Sequence, residues 1–154
     1  MRFLFVDRIL ELERGKRILA TKTITAMDPY LTAHYPRLQV VPTTLIIECL
    51  AQTGGWLNLI SKDFSVKTVL AVCEGVRIRR HVWPGDTLLL EARMLRAHSD
   101  GATVYGEARV GSEVVATMER LVLAHEVCTE VAFIQQQRER LQYVNSGIVL
   151  ADAY

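Results

Sequence analysis

A histidine and a glutamate stand fourteen positions apart in the stretch "AHYPRLQVVPTTLIIECLAQ", residues 33–52. His34 precedes a Tyr-Pro step, and Glu48 is flanked by Ile46, Ile47, Cys49 and Leu50. An imidazole with its ordinary pKa is mostly neutral near neutral pH and can accept a proton. A carboxyl among apolar neighbours loses hydration, which favours its neutral, proton-donating form. The two residues therefore make a candidate base and a candidate acid. The plainer alternatives are a loop histidine and a glutamate that pairs with a buried arginine. Gln52, one helical turn beyond Glu48, either orients that carboxyl or meets a second subunit. Two other chemistries fit poorly. His81, His98 and His125 fall on separate expected strands or turns without metal-ligand spacing, so no metal site is expected. Cys49 has apolar neighbours and no cationic partner to activate its thiol, so it is read as core.

The elements that must carry these residues follow from periodicity. "FLFVDRILELE" and "RILATKTIT" alternate as strands and meet at the turn Arg14–Lys16, which predicts a hairpin. Met27 to Pro42 contains three prolines and reads as a shaped loop without a long regular element. From Thr43, "TTLIIECLAQTGGWLNLISK" is apolar almost all round, with a Thr start after a proline and its polar residues confined to Glu48, Gln52 and Asn58. That predicts a central helix buried on nearly every side. Four Val-, Leu- and Thr-rich segments follow, separated by Pro84–Asp86, Ser99–Gly101 and Gly111–Ser112, and they read as successive antiparallel strands. One apolar helix and a meander together imply an α+β domain, a curved antiparallel sheet wrapped around one long central helix.

Bulk properties narrow the possible partners. A chain of 154 residues buries a core of ordinary single-domain size. Eighteen Lys and Arg against seventeen Asp and Glu give a net charge of +1, so there is no global field for nucleic acid. Three scattered cysteines, without a CxxC pair, read as reduced core thiols in a cytoplasm. No secretion signal is visible, and Glu48, Gln52 and the Gly54–Gly55 pair interrupt the apolar run that would be needed to span a bilayer, so no membrane association is expected.

The ordered motifs Val6–Arg8, "HYP" (His34–Pro36), Pro42 to Gln52, "RIRRHVWPGD" (Arg77–Asp86) and "GSEVVA" (Gly111–Ala116) resemble the beta-hydroxyacyl-acyl carrier protein dehydratases of dissociated fatty acid synthesis. The resemblance covers about Phe3 to His125. It implies the hotdog fold and a homodimer, often assembled into a trimer of dimers, in which each site takes its histidine from one chain and its glutamate from the other. It also implies catalytic roles for His34 and Glu48, no cofactor beyond the phosphopantetheine arm that carries the substrate, and acyl carrier protein as partner. The family's usual glycine after His-Phe-Pro is Arg37 here, the proline two positions on is Gln39, the glycine after the second proline is Thr43, and the phenylalanine is Tyr35.

Dehydration of such a thioester needs a base at the α carbon, an acid at the β hydroxyl and donors aimed at the thioester oxygen. His34 and Glu48 suit the first two. Unpaired N–H groups at a helix start suit the third, which points to Thr43 and Thr44, with Tyr35 and Gln52 as further substrate-binding candidates. Arg77 and Arg79 share one strand face, and with Arg80 and Arg37 they form a candidate docking patch for an acidic carrier protein, or else a solvated strand face. Residues 126–154 lie beyond the resemblance. Val127, Val131, Ile134 and Leu141 give them one apolar face, and Asn145-Ser146-Gly147 a stop, so residues 1–125 read as the hotdog domain and 126–154 as a helical extension. The expected function is dehydration of beta-hydroxyacyl-acyl carrier protein to the trans-2-enoyl form in fatty acid or specialised lipid or polyketide synthesis. The alternatives are a hotdog acyl thioesterase and a non-catalytic partner subunit that binds the carrier protein.

Overall fold

A computed structural model describes residues 4–34 and 37–145, apart from the side chains of Thr32 and His34. Its elements run β1 (Arg8–Glu13), β2 (Arg17–Thr23), α1 (Pro29–His34), α2 (Thr43–Ser61), β3 (Val66–Ile78), β4 (Thr87–Ala97), β5 (Gly101–Val110), β6 (Glu113–Val127) and α3 (Val131–Val144). The six strands form one sheet in the order β1-β2-β4-β5-β6-β3, with every pairing antiparallel. The sheet packs around α2, which meets β2, β3, β4, β5 and β6. This is the hotdog arrangement, and it agrees with the α+β architecture expected from the sequence.

The sheet can curve because its ladders are interrupted. Register shifts fall at Ile9/Glu11, Leu70/Val72, Met94/Arg96, Val104/Gly106 and Ala108/Arg109. An extra residue on one strand bends it and increases the local twist, so the shifts turn the sheet around the helix. The tight β5–β6 connection depends on Gly111, whose φ of +57° opens a two-residue turn between the paired Val110 and Glu113. Inside the curve, Leu50, Leu57 and Ile60 of α2 meet Leu88, Leu90, Val104, Met118 and Leu121 of the sheet, each almost fully buried.

Several expectations need correction. The four later strands do not form one continuous meander: β4, β5 and β6 do, but β3 crosses over to pair with β6, while β4 pairs with β2. Residues 79–86 are too long and too proline-interrupted to be a hairpin turn, and they serve elsewhere. Val41 donates its N–H to the Val82 carbonyl and Gly85 to that of Ile24, which pins the loop ahead of α2. The proline-rich stretch holds a six-residue helix, α1, because Pro29 at its first position presets the helical φ and has no N–H to satisfy. Thr43 is the first residue of α2 and not its cap. Pro42 occupies the cap position, and no side chain among the described residues caps the helix.

The tail is helical, but its apolar face is shifted. Val127 and Val131 are 84% and 78% exposed, whereas Leu141 and Val144 are buried and Phe133 and Ile134 partly so. Val127 belongs to the end of β6, so it was never in register with the helix. Ser146 and Gly147 of the expected stop, and the apolar segment "IVLADAY" that follows them, lie outside the described residues. Among those described, no helix is long and apolar enough to cross a membrane.

One partly buried polar cluster ties the helix to the sheet. Asn58, 1% exposed, donates from Nδ2 to Thr68 Oγ1 at 2.9 Å and meets His125 Nε2 at 2.8 Å, while His125 Nδ1 faces the Ser99 carbonyl at 3.3 Å. Donation by Nδ1–H to that carbonyl leaves Nε2 free to accept from Asn58. The larger share of stability comes from apolar burial along α2. Leu57→Ala, at a fully buried position, should cost about 3 kcal/mol, the usual range for a truncated core leucine. Denaturant unfolding at fixed chain concentration checks this, and a loss within experimental error would mean that the helix does not organise the core.

Candidate active site

Although α2 is enclosed by the sheet, one stripe of it stays half-exposed. Leu45, Glu48, Gln52 and Gly55 recur at steps of three and four and lie on a single face. Burial on nearly every side, as expected, leaves one line half-open, and Glu48 sits on that line. Its carboxylate is held by its neighbour one turn on: Gln52 Nε2 donates to Glu48 Oε1 at 2.8 Å. Gln52 is fixed in turn, because its Oε1 accepts the Phe5 backbone N–H at 2.9 Å. Of the two readings of Gln52, the structure supports the orienting one. A main-chain donor just before β1 thus sets which way the glutamate points.

Glu48, Gln52 and Trp56 form one wall of a groove of about 250 Å³, with Thr68 and Leu70 of β3 on another side. Gln137 and Arg140 of α3 line the same groove, and Arg140 stacks over the Trp56 ring at 5.3 Å. These α3 residues lay outside the sequence argument. The spacing of Gln137 and Arg140, three apart on a helix with Leu141 and Val144 on its buried side, was the available signal.

His34 ends α1 on the chain leading into α2, but its side chain lies outside the described residues, as does Tyr35. Thr43 and Thr44 are exposed in the first turn of α2. Their N–H groups have no acceptor within the helix, and no side chain among the described residues caps them, so they can face an oxygen that gathers negative charge. The arginine patch is less free than its count suggests. Arg77 pairs with Glu119 at 2.9 Å, and Arg80 with Glu113 at 2.8 Å and Asp86 at 3.3 Å. Arg77 is on β3, and Arg79, one residue past its end, still donates its N–H to the Val115 carbonyl at 2.8 Å. Arg37 and Arg79 are exposed and make no ion pair among the described residues.

The cysteines serve as packing. All three are free, with Cys49 and Cys128 buried. Burial pushes the Cys49 thiol up to about 12, the Lys22 ammonium opposing and the Glu48 and Asp7 carboxylates adding to the rise. Burial also raises Cys73. No group of three or more potential metal ligands gathers among the described residues.

The comparisons agree with this architecture. Residues 1–119 match the model of the FabA-like domain. The chain is 39% identical over 118 residues to a 3-hydroxyacyl-[acyl-carrier-protein] dehydratase FabZ of Desulforamulus reducens, covering 76% of this chain and 83% of that protein. With the enzyme of the same name from Acidovorax sp. (strain JS42) it shares 41% identity over 122 residues, again covering 76% and 83%. Among solved structures, a chain of the dehydratase heterocomplex ApeI:P from Xenorhabdus doucetiae aligns with a TM-score of 0.66 at 17% identity, over 86% of this chain and 90% of that one. A hypothetical thioesterase from Streptococcus pneumoniae TIGR4 aligns with a TM-score of 0.60 at 10% identity, over 80% and 88%. At those identities the structural likeness speaks for the fold alone.

The raised thiol value yields a test. Above the ordinary thiol range the unfolded chain releases the Cys49 proton and the folded chain keeps it, so this group lowers stability as pH rises. In the folded protein at mildly alkaline pH, iodoacetamide should leave Cys49 unmodified, and after unfolding it should label all three cysteines. Rapid labelling of Cys49 in the native state, read by peptide mass spectrometry, would reinstate it as a candidate nucleophile.

Proposed function

The chain belongs to the FabA-like family, and from that membership we propose that it is a hydro-lyase converting 3-hydroxyacyl-acyl carrier protein to the trans-2-enoyl thioester and water. The observation that carries this reading is the Glu48 carboxyl group on the half-open stripe of α2, aimed by Gln52 and lining a groove. His34 takes the proton from the α carbon. Glu48 gives its proton to the β hydroxyl, which leaves as water, and the electron pair of the broken C–H bond becomes the new double bond. The N–H groups of Thr43 and Thr44 stabilise the negative charge on the thioester oxygen while the proton is away. An N–H survives the change from glycine to Thr43, but a Cβ and a methyl now stand beside it. The two ionised side chains then exchange protons with water before the next turnover. The scheme needs no metal or redox cofactor, because the substrate's own carbonyl provides the electron sink.

The working unit in this reading is a homodimer, alone or assembled into a trimer of dimers, in which His34 of one chain serves Glu48 of the other. Strand β3 is an edge of the sheet, and it exposes Val69 (49%), Leu70 (37%) and Val72 (42%). A long apolar edge with unpaired backbone groups favours pairing with a second copy. Because Thr68 and Leu70 of that edge also line the groove, a partner there would close its open flank. An acidic carrier protein is the proposed second partner, met first by Arg37 and Arg79, with Arg77 and Arg80 available where their carboxylate partners yield. The three free thiols suit a reducing, cytoplasmic setting. Residues 1–125 are the proposed catalytic unit and 126–154 an added segment. A thioesterase would release free thiol from an acyl-carrier substrate, whereas a dehydratase keeps the thioester, so a thiol reagent separates the two.

Sedimentation at micromolar chain concentration should show a dimer or a multiple of it, and a monomer would remove the shared site. His34→Ala and Glu48→Gln should each lower turnover on the order of a hundredfold or more while leaving the fold intact. When the two variants are mixed with verified subunit exchange, heterodimers should form with one site intact, and activity should return. Exchange without recovery would refute the division of the site between chains.

A further inference from the structure

Helix α3 lies beyond the family-matched residues, which end at 119, yet it forms part of the groove that begins at Glu48. It is firmly seated. Lys67 pairs with Glu130 at 2.6 Å just ahead of the helix and lies 5.1 Å above the Phe133 ring; Arg138 lies 5.5 Å above the Phe64 ring. At its far end, Leu141 and Val144 are 8% and 6% exposed within the core. Between these anchors Gln137 and Arg140, one turn apart, line two spaces at once. One is the Glu48 groove of about 250 Å³; the other is a cleft of about 750 Å³ reaching to Leu4 and Val6. The pair therefore forms a partition between the two.

Size and polarity both give this partition a consequence. The groove is smaller than the roughly 300–1,000 Å³ of most small-molecule pockets. An aliphatic chain passing Glu48 would also meet an amide and a guanidinium, polar groups to which it offers no acceptor. Building on the dehydratase reading, we propose that Gln137 and Arg140 of α3 end the acyl groove and restrict the enzyme to short 3-hydroxyacyl chains, and that truncating either one opens the groove into the neighbouring cleft.

The test compares kcat/KM for 3-hydroxybutanoyl- and 3-hydroxydecanoyl-acyl carrier protein in the full-length dimer and its variants. In Gln137→Ala and Arg140→Ala, the ratio of long-chain to short-chain kcat/KM should rise roughly tenfold or more. Tyr143→Ala, at an 84% exposed position lining only the cleft, should leave the ratio unchanged. Thermal melts establish that each variant is folded, and Gln137→Ala decides alone if Arg140→Ala is not. An unaltered ratio in the folded variants overturns the proposal, and so does an equal shift in Tyr143→Ala. A parallel arm measures, by calorimetry, the affinity of unreactive acyl-pantetheine amides of the same two lengths. If no chain is dehydrated by the unmodified protein, the reaction assigned above fails while the affinity ratio still decides on the partition. If short chains turn over and the ratio does not move, the partition alone falls.

Discussion

Enclosing one apolar helix within a single curved sheet leaves that helix a narrow outward stripe, and this constraint sets where Glu48 and Gln52 stand. On α2 the stripe carries Glu48 and Gln52, while Leu50, Leu57 and Ile60 point into the sheet. Burial of the remaining faces fixes the rotation of the helix about its axis, because turning it would drive a carboxylate into the core at a cost of several kcal/mol. The orientation of Glu48 is then completed by one amide, held between the carboxylate and the Phe5 N–H. A hydrogen bond of this sort contributes little net stability, about 1 kcal/mol, but it narrows the directions available to the carboxylate.

The same wrapping explains why the site borders a sheet edge. Strand β3 follows α2 directly and returns along it, so its residues Thr68 and Leu70 reach the stripe. The crossing from β3 to β4 then places β3 outside β6, at the end of the strand order. The half-open stripe and the apolar edge thus come from one topological step, and a second copy pairing at that edge would meet the groove without any further adaptation. The Asn58–Thr68–His125 cluster fastens the helix to β3 and β6 at the opposite end of α2 from Glu48.

Helix α3 lies beyond the family-matched residues and still lines the groove that holds Glu48. Its anchors are spread over the loop after α2, the start of β3 and the core, and its two inward polar residues come to rest opposite Trp56 and Gln52. Because a guanidinium can stack on an aromatic face while keeping its charge, Arg140 tolerates this half-buried position where a lysine would be held less firmly.

By itself the sequence determined the parts whose signal is local. The β1–β2 hairpin, the helix from Thr43, the Gly111 turn and the inert thiol at Cys49 all follow from periodicity, turn chemistry or immediate neighbours, and Glu48 stood out as the one carboxylate in the apolar run. The short helix within the proline-rich stretch was less legible, since prolines that forbid a long element can still start a brief one. Tertiary structure alone decided the partners of β3 and β4, the ion pairs that occupy Arg77 and Arg80, and the face α3 turns inward. It alone showed that a backbone N–H forty-seven residues away fixes Gln52. Strand order and long-range contacts depend on which surfaces are left to cover once the sheet has closed around its helix, and no window of neighbouring residues contains that information.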